Sequence, residues 1–140
     1  MKKLTLGLML SILLISLAEL THANSLQDIQ ATKVLKVCIW PDYYGISYRN
    51  PRSGLLQGVD IDLSRDLAQE MGVKIQYVET SFANFVADIE GRKCHIAMMG
   101  VGVIPSRVER VNFSSPYLRS DVYAVTSKSN ATIKTWDDLD

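Results

Sequence analysis

Between Ala97 and Ser120 the chain reads AMMGVGVIPSRVERVNFSSPYLRS, its best set of residues for gripping a ligand. Gly100 and Gly102 follow an apolar run, where missing side chains let a ligand approach backbone N–H groups. Pro105 suits the first position of a helix, because its absent N–H costs no hydrogen bond there. Arg107 then falls in the first helical turn, where the helix dipole disfavours a cation by about 0.3–1 kcal/mol. A bound anion would remove that conflict. The guanidinium is a rigid fork of donors that meets a carboxylate through two parallel hydrogen bonds, and loop and helix N–H groups complete the cradle. Capture of a small carboxylate is one reading of Arg107. Solvation, or pairing with an acid such as Glu109, is the other, and the residues alone leave the two level.

Aromatic residues offer the rest of a pocket. The turn-rich segment Trp40-Pro41-Asp42-Tyr43-Tyr44-Gly45 follows an apolar strand, and Phe82 follows another. Trp40, Tyr43 and Phe82 thus sit at strand ends on the presumed ligand side, where a flat or apolar group fits between rings. The alternative makes Phe82 the start of a helix's core stripe and Tyr43 a loop plug. His95 reads as a satisfied strand residue rather than a catalytic base. Asp60 and Asp62 read as helix-start residues rather than a carboxylate pair. No serine, histidine and acid set suggests a nucleophile. No cofactor or metal is implied, since His95 is the only histidine besides His22 of the leader.

The elements that must position these residues begin after that leader. Met1-Lys2-Lys3 gives a positive start, Leu4 to Leu17 an apolar run too short to span a bilayer, and Thr21-His22-Ala23 a small-x-small exit. Residues 1–23 therefore read as a cleavable secretory signal peptide. Without Lys2, Lys3 and Glu19, the original 15 basic and 15 acidic residues become 13 and 14. That near-neutral balance lacks the basic footprint of a nucleic-acid or anionic-lipid partner. The remaining length suits one small domain. Cys38 and Cys94 would meet an oxidising compartment, so they either pair or stay as two buried small hydrophobes.

Ser25 to Lys33 has a serine cap and a loosely helical pattern. Leu35 to Ile39 is apolar enough for a central strand buried on both faces. Ile46 to Arg49 and Leu55 to Val59 flank Asn50-Pro51-Arg52-Ser53-Gly54 as a hairpin. Asp60 reads as the cap of a helix with Leu63, Leu67, Ala68 and Met71 on its apolar face, closed by Gly72. Val73 to Val78 alternates as a strand. Thr80-Ser81 opens a helix striped by Phe82, Phe85, Val86 and Ile89, and Cys94 to Met99 is another strand. Asp121 to Thr126 reads as a further strand, and Thr135 caps a helix barely begun at Trp136-Asp137-Asp138-Leu139-Asp140. These strand-helix-strand units predict an open α/β sheet, with ligands at strand carboxyl ends.

Several of these segments together resemble a known family. Leu35-Lys36-Val37 with Pro41-Asp42-Tyr43, then GVDIDLSRDLAQEMGV, then VETSFANFVADIEGRKCHIAMMGVGVIPSRVERVNFSSPYLRS, are similar to the first lobe of the bacterial extracellular solute-binding proteins of family 3. The resemblance implies a periplasmic binding protein type II-like lobe, an open mixed sheet with helices on both faces, whose second lobe is missing. Residues 24–120 would be the first lobe, 121–128 a hinge-crossing strand and 129–140 the start of a second lobe.

It further implies a monomeric periplasmic receptor that takes an amino acid or related carboxylate, closes around it and hands it to an ABC transporter permease. Arg107 matches the arginine that holds the ligand carboxylate. Gly100 and Gly102 match loop positions in contact with the ligand, and Tyr43 and Phe82 match residues packing on its side chain. Three departures stand out: Gly102 replaces a common hydroxyl residue, Ile104 a threonine cap, and Trp40 an acid found in some binders of basic amino acids. Relatives of this kind also include a cyclohexadienyl dehydratase-like enzyme and sensory modules of signalling receptors.

Overall fold

The computed structural model describes residues 25–121 and 123–139; residues 1–23, read from the sequence as a signal peptide, lie outside them. Helix α1 (Ser25–Thr32) leads into β1 (Val34–Ile39), followed by the short strands β2 (Asp42–Tyr43), β3 (Ser47–Arg49) and β4 (Leu56–Gln57). Then come α2 (Val59–Glu70), β5 (Lys74–Glu79), α3 (Phe85–Glu90), β6 (Ile96–Ala97), α4 (Pro105–Val108) and a 3-10 turn at Trp136–Leu139.

The strands fall into two sheets. One is parallel in the order β5-β1-β6, and the other is the antiparallel meander β2-β3-β4. β1 pairs along its whole length with β5, from Val34 opposite Lys74 to Ile39 opposite Glu79. On its other side Val37 and Cys38 lie opposite Ile96 and Ala97. The single mixed sheet expected from the sequence is thus divided by strand direction, and an Arg49–Glu79 ion pair of 2.6 Å bridges the two parts.

Side-chain alternation assigns helices to both faces of the parallel sheet. Leu35, Val37, Ile39 and Met98 meet Ile29 of α1 and Ile61 and Ala68 of α2 in one core cluster. Met99, with Ala97 against it, joins Phe85 and Val86 of α3 in the other. Each large aliphatic chain buried this way contributes about 1.5–3 kcal/mol relative to exposure.

Several local expectations shift. α2 begins one residue before Asp60, and its N-cap is Gly58, with no side-chain cap bond. A Cβ on Gly58 would lie 2.4 Å from the Ile46 carbonyl oxygen, so the hairpin packs too closely for a capping side chain there. Helix α3 starts at Phe85 rather than near Thr80, so Phe82 lies in the turn before it and not on its stripe. The turn is set by the Asn84 and Phe85 N–H groups, which both donate to the Ser81 carbonyl. Asp88 in α3 accepts from Lys93 Nζ and Thr80 Oγ1, both at 2.6 Å, and these bonds, the lysine's first, hold its carboxyl below the usual range.

Residues 121 and 123–126 are coil, not the expected strand: they have no ladder partner, and Tyr123 and Val125 are 78% and 93% exposed. At the end of the chain, the Asp138 carboxylate accepts the Lys134 and Thr135 N–H groups and so fixes the last turn.

Cys38 and Cys94 form a disulfide, which decides between the two possibilities left open by the sequence. Their Cα atoms are 5.6 Å apart, inside the reach of such a bond. It fastens β1 to the entry of β6 and closes a loop with a sequence separation of 56. Constraint of the unfolded chain by a loop of that size is worth about 4 kcal/mol in the chain-entropy account, and measured losses run about 2–5. Replacing both cysteines by alanine should lower the unfolding free energy by about 2–4 kcal/mol in urea titrations. A change under about 0.5 kcal/mol would show that the bond contributes little.

Candidate functional site

The three parallel strands end side by side, and the residues beyond each end converge. Trp40 follows β1, Phe82 follows β5 by three residues, and Gly100 follows β6 by three. The first turn after β1 is held by the buried Ser47, whose hydroxyl donates to the Trp40 carbonyl at 2.7 Å. Tyr43 N–H donates to the same oxygen at 3.3 Å, which brings the tyrosine back over the sheet edge.

Trp40, Tyr43 and Phe82 form a closed triangle of rings. Centroids are 5.7 Å apart for Trp40–Tyr43, 5.3 Å for Trp40–Phe82 and 5.9 Å for Tyr43–Phe82, all tilted or edge-on. Such geometry sets the positive edge of one ring against the negative face of the next. Phe82 and Trp40 are half-buried, and Tyr43 is exposed on one side. Phe82 packs beside the α3 cluster while its ring completes the triangle.

Arg107 reaches this triangle from α4. Pro105 occupies the helix start as expected, and Ile104 at the N-cap supplies no side-chain bond. The Arg107 guanidinium carbon lies 5.9 Å from the Phe82 ring centroid and 5.4 Å from that of Phe85. Its Nη1 donates to the Gly102 carbonyl at 2.9 Å. Among the described residues no carboxylate pairs with it, Glu109 included. The half-buried fork keeps most of its donors unspent, and the two rings hold it by cation–π contact.

The glycines divide the work. Gly100 adopts a left-handed φ of 64°, and a Cβ there would meet Tyr43 Cε1 at 3.1 Å and Ile46 Cγ2 at 3.4 Å. Its N–H is already spent, donating to Asp60 Oδ2 at 2.6 Å. Gly100 therefore shapes the loop and seats Tyr43, rather than offering the ligand an N–H as expected. Gly102 is exposed, and its N–H has no acceptor among the described residues.

Asp60 and Tyr117 were not visible as partners in the sequence. Asp60 is fully buried, and its second oxygen accepts the Tyr117 hydroxyl at 2.8 Å. Burial of the phenol end, then the carboxylate beside it, pushes the Tyr117 pKa well above the ordinary value, so the hydroxyl remains a donor. One signal was available: Asp60, Ser64 and Ala68 share i, i+4, i+8 spacing on the inward face of α2, and all three are buried. His95 lies at the opposite end of the sheet. Its Nδ1 accepts the Lys36 N–H at 3.0 Å, so in the neutral ring Nε2 carries the proton, which it donates to Asp28 at 2.8 Å. A separate cavity of about 650 Å3 is lined by Leu63, Leu67, Ile89, Met98 and Phe113 among others, but not by Trp40, Tyr43, Phe82 or Arg107.

The profile of the bacterial extracellular solute-binding proteins, family 3, matches residues 35–139. The chain belongs to this family. It is 28% identical over 140 residues to a probable amino-acid ABC transporter-binding protein of Haemophilus influenzae, a match covering 99% of this chain and 54% of the relative. It is 33% identical over 129 residues to the cyclohexadienyl dehydratase of Pseudomonas aeruginosa, covering 91% of this chain and 48% of that one.

Among solved structures, an ancestral amino acid-binding protein described as a precursor of cyclohexadienyl dehydratase superposes with a TM-score of 0.75 and 34% identity. That match covers 82% of this chain and 51% of the other. The fold is thus a lobe of the family's α/β architecture, and this family-3 chain spans about half the length of these relatives. Among the described residues no helix is long and apolar enough to cross a membrane.

The site itself predicts a contrast between its two glycines. Gly100→Ala must hold an alanine in the left-handed region and push Tyr43 aside, a cost of about 1–2 kcal/mol. Gly102→Ala places its Cβ 3.8 Å from Arg107 Nη1, an ordinary contact, and should cost under about 0.5 kcal/mol. Urea unfolding of the two variants in parallel reads the difference.

Proposed function

We propose that this chain is the first ligand-binding lobe of a periplasmic solute-binding protein that captures a small amino acid or related carboxylate for an ABC transporter. The observation that carries the reading is Arg107, a half-buried guanidinium held over Phe82 and Phe85 with no acid partner among the described residues. An unpaired, half-buried cation beside a triangle of aromatic rings suits a ligand that brings its own carboxylate and a hydrophobic or flat body. The Gly102 N–H offers that carboxylate a further donor, while Trp40, Tyr43 and Phe82 pack on the rest of the ligand. Similarity to a probable amino-acid ABC transporter-binding protein and to a probable histidine-binding protein supports amino acids as the ligand class.

In this reading residues 1–23 direct export to the periplasm, 24–120 form the lobe, 121–128 cross the hinge and 129–140 begin a second lobe. Ligand contacts from both lobes favour the closed state, which the membrane permease reads. The receptor acts as a monomer, without cofactor or nucleic acid. Trp40 disfavours ligands with a basic side chain, because it puts a ring where a cationic head would need an acid.

Titrating the complete protein with the standard L-amino acids by calorimetry tests the proposal. Arg107→Ala should weaken the tightest of them by about 1.5–3 kcal/mol, roughly ten- to hundredfold in Kd. Unchanged affinity in that variant removes Arg107 as the anchor.

The dehydratase relative, at 33% identity, favours a second reading in which the same cleft eliminates water from a cyclic acid. Such a step needs a general acid near the substrate carbon. Within this lobe His95 is committed to Asp28 and Lys36 far from Arg107, and Asp42 sits exposed on β2. On the receptor reading, incubation of the complete protein with prephenate or arogenate should yield no aromatic product above the uncatalysed background. Turnover would transfer the assignment to the enzyme class.

A further inference from the structure

The most deeply buried charge in the lobe is Asp60, and three distant segments meet on it. Its Oδ2 accepts the Gly100 N–H at 2.6 Å and its Oδ1 the Tyr117 hydroxyl at 2.8 Å. Its own N–H donates to the Ile46 carbonyl at 3.0 Å, and the Ile46 side chain lies 3.4 Å from where a Gly100 Cβ would stand. Among the described residues no lysine or arginine pairs with it. Two convergent donors, and the positive end of the α2 dipole beside it in the first turn, take the place of a counter-ion.

What Asp60 holds is the machinery of the site. The Gly100 turn seats Tyr43 on one side and runs into Gly102, whose carbonyl fastens Arg107. Tyr117 belongs to the stretch that follows α4 and leads out toward residue 121. We infer that Asp60 is the positioning residue for ligand capture, fixing the Gly100–Arg107 loop and the outgoing Tyr117 segment through one shared carboxylate. The inference rests on the reading of Arg107 as a carboxylate anchor.

The chemistry of the carboxylate makes this testable without changing shape. Both of its oxygens face donors, whereas an asparagine amide presents one oxygen and one NH2 group. Asp60→Asn therefore removes the charge behind both bonds and leaves one acceptor oxygen. With that oxygen toward Gly100 the NH2 group meets Tyr117, whose hydroxyl must turn from donor to acceptor, and in the other orientation an N–H is set against the Gly100 N–H. The standard L-amino acids serve as probes in calorimetry of the complete protein, at a temperature where every variant is folded. The Gly100 amide is followed by 1H–15N spectroscopy, because a short bond to a carboxylate moves its proton signal downfield.

Asp60→Asn should weaken the tightest amino acid by about tenfold or more and return the Gly100 amide upfield. Tyr117→Phe should leave the Gly100 signal downfield and weaken binding by about two- to fivefold, less than Asp60→Asn. A folded Asp60→Asn that binds as well as wild type, or that loses affinity while the Gly100 amide stays in place, overturns the inference. If Asp60→Asn does not fold, Tyr117→Phe decides alone, and wild-type affinity in it overturns the link to the outgoing segment. Wild-type protein that binds no amino acid, or Arg107→Ala that binds normally, overturns the anchor reading instead and this inference with it.

Discussion

The central strand of a parallel sheet with helices on both sides buries both of its faces, and β1 is that strand. Its pairing with β5 and β6 leaves no edge, so Leu35, Val37 and Ile39 are spent on one core while Cys38 turns to the other side and joins Cys94. Because all three strands run the same way, their carboxyl ends lie together. Chain leaving those ends has no more ladder to follow and must turn. Trp40, Phe82 and Gly100 are the residues at those turns, so their meeting follows from sheet direction and not from any affinity between them. The disulfide adds a covalent tie between the central strand and the run that delivers Gly100, which limits how far the glycine loop can drift.

Two charges of opposite sign divide the labour around that edge. Asp60 is wholly buried with a donor on each oxygen, which offsets part of the cost of burying it. Arg107 is only half-buried, supported by rings and one carbonyl, and no carboxylate among the described residues pairs with it. The buried acid serves the structure, while the unpaired half-buried base suits the anchoring role proposed for it. The pair lies on either side of the same loop, since Gly100 is bonded to the acid and Gly102 to the base. Ordering of that loop in the free protein would spare a ligand part of the entropy of fixing it.

Much of this was legible in the sequence wherever local pattern decides. The alternation of Val73, Ile75 and Tyr77, the apolar run of β1 and the proline at the start of α4 all lie where periodicity and turn chemistry place them. Arg107, Trp40, Tyr43 and Phe82 could be gathered at one edge because the strand direction was predictable. What escaped depends on partners far along the chain. Asp60 looked like a cap because its position by the helix start is local, whereas its bonds to Gly100 and Tyr117 span 40 and 57 residues. Phe82 looked helical because its spacing fits a stripe, until the Ser81 carbonyl took the Asn84 and Phe85 N–H groups and delayed the helix. Gly100 looked like a donor for a ligand because nothing local shows that its N–H is taken.

The same geometry explains how one lobe architecture can belong to relatives named both as binding proteins and as a dehydratase. In the proposed reading this lobe supplies grip: a guanidinium, an N–H and a triangle of rings, none of which transfers a proton readily at neutral pH. An arginine stays charged across that range, and the single histidine of the described residues is locked into the far end of the sheet. Elimination needs an acid or base held against the substrate carbon, and grip alone does not provide one. Any group that turned capture into catalysis would have to face Arg107 across the ligand. The anchor would then be common to both activities, and the difference between them would lie in a few side chains on the opposing wall.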